Sequence, residues 1–216
     1  YFEFLIPDYK AKPQDQKNLR IETRLYPDGD LIKDLKITGS PDNKAFVDYL
    51  HFLNRMRFKS EDYSAEKSNA ATKGDKAAEE AAQKKLEALN DSVSIYQKTL
   101  LEKNPQYLSS KLIKAAAGPT VPKDIEAQGQ EASYKYFKAH YLDNIDWADE
   151  RLLRTPIMEE KIEFYLEKLV FQIPDSLIKE CDHLIDLTVK GKNKQMYQFV
   201  ASHLLNKYAK SQVICM

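Results

Sequence analysis

The sequence predicts a mainly α protein, a multi-helix antiparallel array with a long protruding helical hairpin and a small N-terminal β segment (α+β overall). Three observations carry this. Alternation of apolar and charged residues at period two is confined to about residues 1–39. From Ser40 onward the apolar period changes to that of a helix. Only six Gly occur in 216 residues, too few for an all-β sandwich built on tight turns.

Taken in order, Phe2, Phe4 and Ile6 alternate with Glu3 and Leu5 until Pro7-Asp8 ends the run. Leu19 to Leu25 alternates apolar and charged residues as a half-buried strand does. Pro27-Asp28-Gly29 is a turn signal, and Leu31 to Thr38 reads as a third strand stopped by Gly39. Two or three short strands are marginal alone, so residues 1–39 read as the end of an N-terminal β-rich domain. Residues 40–216 read as the helical domain.

Ser40-Pro41 supplies an N-cap and a first-turn proline. Phe46, Val47, Leu50, Leu53 and Phe58 then form an apolar stripe. From Ser60 to Lys85 the chain is rich in Ala, Glu and Lys, strong helix formers that provide little to bury. Lys73-Gly74-Asp75 is the only break there. The pattern gives a hairpin over about 41–103, with a return helix from about Asp75 to Lys103 striped by Leu86, Leu89, Val93, Tyr96 and Leu100. A helical array follows over about 105–208. Its helices are expected at about Pro105–Ala117, Tyr134–Leu142, from Thr155-Pro156 to Val170, from Pro174 to Val189, and Lys194–Tyr208. Residues 118–130 read as a loop, and Lys190-Gly191-Lys192 as a helix stop. Short connections make consecutive helices antiparallel neighbours.

The charges exclude some classes of function. The 33 basic and 33 acidic residues cancel, whereas a nucleic-acid binder shows a basic excess. The cations are 27 Lys and 6 Arg, so bidentate anion grips are scarce. No apolar run reaches the ~20 residues that span a bilayer. No GxSxG, HExxH, P-loop or GxGxxG occurs. The sequence starts at Tyr1 without a signal-peptide pattern and reads as an internal or processed fragment. Cys181 and Cys215 form no CxxC and no zinc-ligand spacing. Cys181 lies on an apolar helical face as a small hydrophobe, and the spacing specifies no disulfide between the two. The four histidines, His51, His140, His183 and His203, each fall in a helical segment and read as polar-edge residues. No cofactor or metal is implied.

The densest segment is 134–157. It holds four aromatics in eight residues, the single Trp, several acids and two of the six Arg. One reading is a ligand or peptide groove lined by Tyr134, Tyr141 and Trp147, with Arg151 and Arg154 gripping a carboxylate. A calcium loop on Asp143, Asn144, Asp146, Asp149 and Glu150 lacks the alternating spacing and turn glycine of an EF-hand. The structural reading puts the aromatics in the core, uses Asp146 or Asp149 as a helix cap and pairs the arginines with acids.

The run His140-Tyr141-Leu142-Asp143-Asn144-Ile145-Asp146-Trp147, with Arg151-Leu152-Leu153-Arg154-Thr155-Pro156, resembles a helical domain of unknown specific function. That domain occurs in cell-envelope proteins of Bacteroides-type bacteria. There it lies between a β-rich domain and a thioredoxin-like domain of the peroxiredoxin/thiol–disulfide oxidoreductase type. Residues 2–8 with 36–43 resemble the end of the β-rich domain entering the first helix. Gln172-Ile173-Pro174-Asp175-Ser176 and Leu204-Leu205-Asn206-Lys207-Tyr208 resemble later parts of the helical domain. The resemblance implies a non-catalytic accessory or scaffold domain that positions or presents clients to a thioredoxin-like domain of the same polypeptide outside this chain. It implies the periplasm or cell envelope, with lipid anchoring before Tyr1 as one arrangement, and envelope client proteins as partners. The family's redox chemistry belongs to a CxxC, which no position here matches. The chain itself is therefore not expected to be an enzyme, whereas the full-length protein is expected to be an oxidoreductase. The rival expectation is a protein- or peptide-interaction module with no redox role. Nucleic acid and a transmembrane segment are not expected.

Overall fold

The computed structural model describes residues 20–22 and 32–209. The strand expected around Phe2–Ile6, the Pro27-Asp28-Gly29 turn and Cys215 lie outside them. Among the described residues the protein is mainly helical, with eight α-helices and one two-stranded antiparallel sheet. Strand β1 (Arg20–Glu22) pairs with β2 (Lys36–Thr38), placing Ile21 opposite Ile37. The run expected as a strand from Leu31 is shorter, because residues 32–34 form a bend and turn before β2. Two compact units are present, residues 1–110 and 111–216, with the division falling inside α3 (Leu108–Ala116).

In the first unit, α1 (Pro41–Lys73) and α2 (Lys76–Lys103) form the hairpin. At ~1.5 Å per residue α1 is ~50 Å long. Its start follows from local chemistry. The Ser40 hydroxyl accepts from the Asn43 backbone N–H at 3.2 Å, and Pro41 occupies the first turn. The two-residue turn ends one helix and opens the next. Gly74 adopts φ +71°, its N–H donates to Ala71 and the Asp75 N–H to Ala70, the pattern of a Schellman cap. Asp75 then accepts from the Ala78 N–H at 3.0 Å as the N-cap of α2.

Packing along the hairpin is uneven. At the base, Leu35 and Ile37 bury against Val47. The Tyr96 ring stacks on Phe52 with centroids 4.3 Å apart, and Gln97 donates to the Tyr49 hydroxyl at 2.7 Å. Towards the tip only Ala70 and Ala82 are buried. Polar ties such as Lys85 to Glu66 at 2.7 Å and Lys67 to Gln83 at 2.9 Å bridge the two helices there.

Helix α3 has no capping side chain immediately before Leu108. Its first amides are met from far away in sequence. Buried Asp42 accepts from the Leu108 N–H at 2.7 Å and the Ser109 N–H at 3.0 Å. A carboxylate there satisfies orphan donors and complements the helix dipole.

The second unit continues through α4 (Lys123–Glu126), α5 (Gln130–His140), a 3-10 turn (Glu150–Arg154) and α6 (Ile157–Phe164). A π-helical stretch (Tyr165–Leu169), α7 (Pro174–Gly191) and α8 (Lys194–Tyr208) complete it. The loop expected over 118–130 thus contains one helical turn, α4, and α5 begins four residues before Tyr134. Leu152, Met158, Ile162, Leu166, Leu177, Leu184, Met196 and Val200 form a fully enclosed core. The stop at Lys190-Gly191-Lys192 works differently from its sequence reading. Lys192, not Gly191, takes the left-handed φ of 54°. Gly191 instead allows close approach, since a Cβ there would sit 2.6 Å from the Trp147 carbonyl oxygen.

Candidate functional site

The segment singled out by its aromatics and arginines connects α5 to α6. Trp147, 8% exposed, lies against the end of α7 through the Gly191 contact. Asn193 reinforces this place. Its side-chain amide donates to the Ala148 carbonyl at 3.0 Å while its oxygen caps α8 by accepting from the Gln195 and Met196 amides. The α7–α8 turn therefore holds the backbone at Trp147 and Ala148.

Asp149 is the electrostatic centre. It is buried, caps the 3-10 turn through the Arg151 amide at 3.1 Å, and takes a bidentate grip from the Arg151 guanidinium at 2.9 and 2.7 Å. Lys111 from α3 reaches Asp149 at 2.7 Å and Asp146 at 2.9 Å. Burial alone would push the Asp149 carboxyl up, but hydrogen bonds from Arg151 and Lys111 outweigh it and hold the group well below the usual carboxylate range. Burial likewise opposes the charge on Lys111, and the two aspartates overcome it and raise its pKa.

The other residues of the segment go elsewhere. Tyr141 is buried among Phe137, Phe164 and Tyr165, with ring centroids 5.6, 5.2 and 6.3 Å away. Lys161, only 5% exposed, places its ammonium 4.3 Å from the Tyr141 ring centroid and 3.4 Å from the Ala117 carbonyl. Burial lowers its pKa. Tyr134 donates its hydroxyl to the Leu169 carbonyl at 2.9 Å, satisfying an acceptor in the π-helical stretch. Arg154 ends the 3-10 turn on an exposed position. Tyr134, Tyr141, Trp147 and the arginines thus serve separate places in the unit. The calcium-type acids are also engaged. Asp143 meets His140 at 2.6 Å, Asn144 donates to Ala117, and Asp146 and Asp149 hold Lys111. Among the described residues no group of three or more His, Cys, Asp or Glu is placed to hold a metal ion.

Sequence reasoning passed over a groove of about 700 Å³ beside α5, to which Tyr134 contributes. Its far side comes from α7, with Lys179, Glu180 and His183, and its end from Tyr165 and Phe171. Glu180 accepts from the Lys138 ammonium at 2.8 Å and the Tyr165 hydroxyl at 2.5 Å. Burial pushes the Glu180 carboxyl up, yet these two donors outweigh it and lower its pKa. Burial, followed by the hydrogen bond to Glu180, raises the Tyr165 hydroxyl. Phe171 was the available signal, an aromatic just before a Pro-initiated helix whose i−4 and i−3 neighbours, Glu167 and Lys168, are charged.

Cys181 lies half-buried on α7 as a free thiol. Burial and then the charges of Asp182 and Glu180 push its pKa up, which keeps it protonated near neutral pH. No helix of the described residues is long and apolar enough to cross a membrane.

Helices joined through buried ion pairs and aromatic clamps define a helical domain whose densest polar chemistry is directed inward. The chain belongs to the DUF5106 family, a domain of unknown function, whose family model matches residues 74–216, from the hairpin tip onward. That match assigns no catalytic activity. No curated protein and no solved structure matches the chain.

Proposed function

We propose that the chain is a non-catalytic accessory domain of a cell-envelope thiol–disulfide oxidoreductase, holding a thioredoxin-like domain outside the chain in place for its clients. The resemblance of residues 140–156 to the domain beside such oxidoreductases supplies the context, including the periplasm or cell envelope as the location. The observation that carries the reading is the internal use of that segment. Trp147, Asp149 and Arg151 tie α3, the 3-10 turn and the α7–α8 turn together, as a rigid strut requires. Cys181 adds support, because a thiol whose pKa is raised is a poor attacking group in thiol–disulfide exchange. In this reading the reactive thiolate comes from a CxxC encoded beyond Met216.

The test is disulfide reduction by the full-length protein. The encoded sequence after Met216 is expected to contain strand–CxxC–helix. Replacing those cysteines is expected to abolish exchange, while Cys181→Ser leaves the rate unchanged. A stop codon directly after Met216, or loss of exchange in Cys181→Ser, would overturn the reading.

A further inference from the structure

The groove of the second unit joins an exposed apolar wall to an excess of cationic groups. Two ion pairs use up the carboxylates that line it. Glu131 meets Lys135 at 2.7 Å at the rim, and Glu180 meets Lys138 at 2.8 Å on the floor. The Glu180 side chain is 13% exposed and also takes the Tyr165 hydroxyl, so its charge is compensated from two sides. Lys179 and His183 remain. Lys179 makes no ion pair among the described residues and His183 is exposed. The two are four residues apart on α7, hence on one face. Counting lysines alone, the lining carries three ammonium groups against two carboxylates. The apolar wall is equally specific. Phe171 is 69% exposed although aromatic. Tyr134 has its hydroxyl committed to Leu169, leaving its ring as lining. About 700 Å³ lies within the ~300–1,000 Å³ range of small-molecule sites.

We propose that this groove binds a small organic carboxylate with an apolar body. The body lies against Tyr134 and Phe171, removing the Phe171 ring from water. The carboxylate meets the Lys179 ammonium and the His183 imidazole. An inorganic anion would leave the aromatic wall wet, and a cation would meet the excess of ammonium groups. A peptide ending in an apolar residue presents the same chemistry as a free acid. The inference does not depend on the redox reading and stands or falls separately from it.

The experiment is titration of this chain with hydrocinnamate, followed by heteronuclear NMR, with hydrocinnamyl alcohol as the uncharged counterpart. Saturable shifts are expected at 131–139, Phe171 and 179–183, with the alcohol about threefold to fivefold weaker, as suits one partly exposed ion pair. Lys179→Gln, on an exposed position, is expected to weaken the acid by that factor and to leave alcohol binding and the thermal midpoint unchanged. N-acetyl-alanyl-phenylalanine and its C-terminal amide then separate the sources. A peptide acid that outbinds hydrocinnamate, with its amide weaker, assigns the groove to chain ends, and the reverse order assigns it to free acids. Absence of saturable shifts at these residues, equal affinity for acid and alcohol, or unaltered acid affinity in Lys179→Gln would overturn the proposal.

Discussion

Asp149 concentrates the electrostatics of the second unit, and its consequences can be measured. Its folded pKa lies below its ordinary 3.8, so the unfolded chain takes up the proton first as pH falls. The stability it contributes is present above about pH 4 and is lost below it. Glu180, also lowered, acts in the same direction. The second unit is therefore expected to lose stability as pH drops below 4, and Asp149→Asn is expected to flatten that dependence. The substitution also leaves Lys111 and Arg151 without their shared anion, at a cost of ~2–4 kcal/mol at pH 7 given their partial exposure. Chemical denaturation at pH 7 and pH 3.5 checks both. An Asp149→Asn variant with the parental pH slope would contradict the assignment. Lys161 has the opposite sign. Its lowered pKa means that its charge opposes folding until pH rises towards 10.5.

At this scale the sequence was legible where partners are local and opaque where they are distant. Ser40 caps a helix through an amide three residues away, so its role follows from spacing alone, and Asp75, read as the start of the return helix, caps it at the same spacing. Asp42 caps a helix 66 residues on; the sequence places that helix start at Pro105, whereas it begins at Leu108, where the distant carboxylate meets its first amides. Gly191 reads as a stop by composition, but its contact with Trp147 depends on tertiary packing. The segment 134–157 was recognisable as dense in chemistry. Its counterparts Lys111, Gly191 and Asn193 were not, because no periodicity links them to it.

Among the elements, the hairpin is the clearest product of propensity. Ala, Glu and Lys keep α1 and α2 helical well beyond the point where Tyr49, Phe52 and Tyr96 pack. Residues 60–85 bury only Ala70 and Ala82, so little tertiary energy holds them. Amide exchange is expected to be faster at 60–85 than at 155–170, where Met158, Ile162 and Leu166 are fully enclosed. Equal protection in the two regions would show a partner for the hairpin tip that its side chains do not reveal. The π-helical stretch had no such signature. Phe164 to Val170 reads as ordinary helix, and the wider turn is accommodated by Tyr134 on Leu169 and by Gln172 on Leu166 and Val170. That same wider turn leads into Phe171, which is why half of the groove escaped a reading by period.

Over the whole molecule, described as two compact units, the account rests on the 140–155 segment working as a structural centre. Trp147 is enclosed by the α7–α8 turn, flanked by the ion pairs of Asp149 and followed by the fully enclosed Leu152. A large aromatic in that position buries ~150–250 Å². The direct measurement is thermal unfolding of Trp147→Ala beside the parent chain. The account predicts a loss of ~3–5 kcal/mol, which lowers the midpoint of the second unit by on the order of 10 °C. An unshifted midpoint would contradict it and return Trp147 to the role of a surface contact.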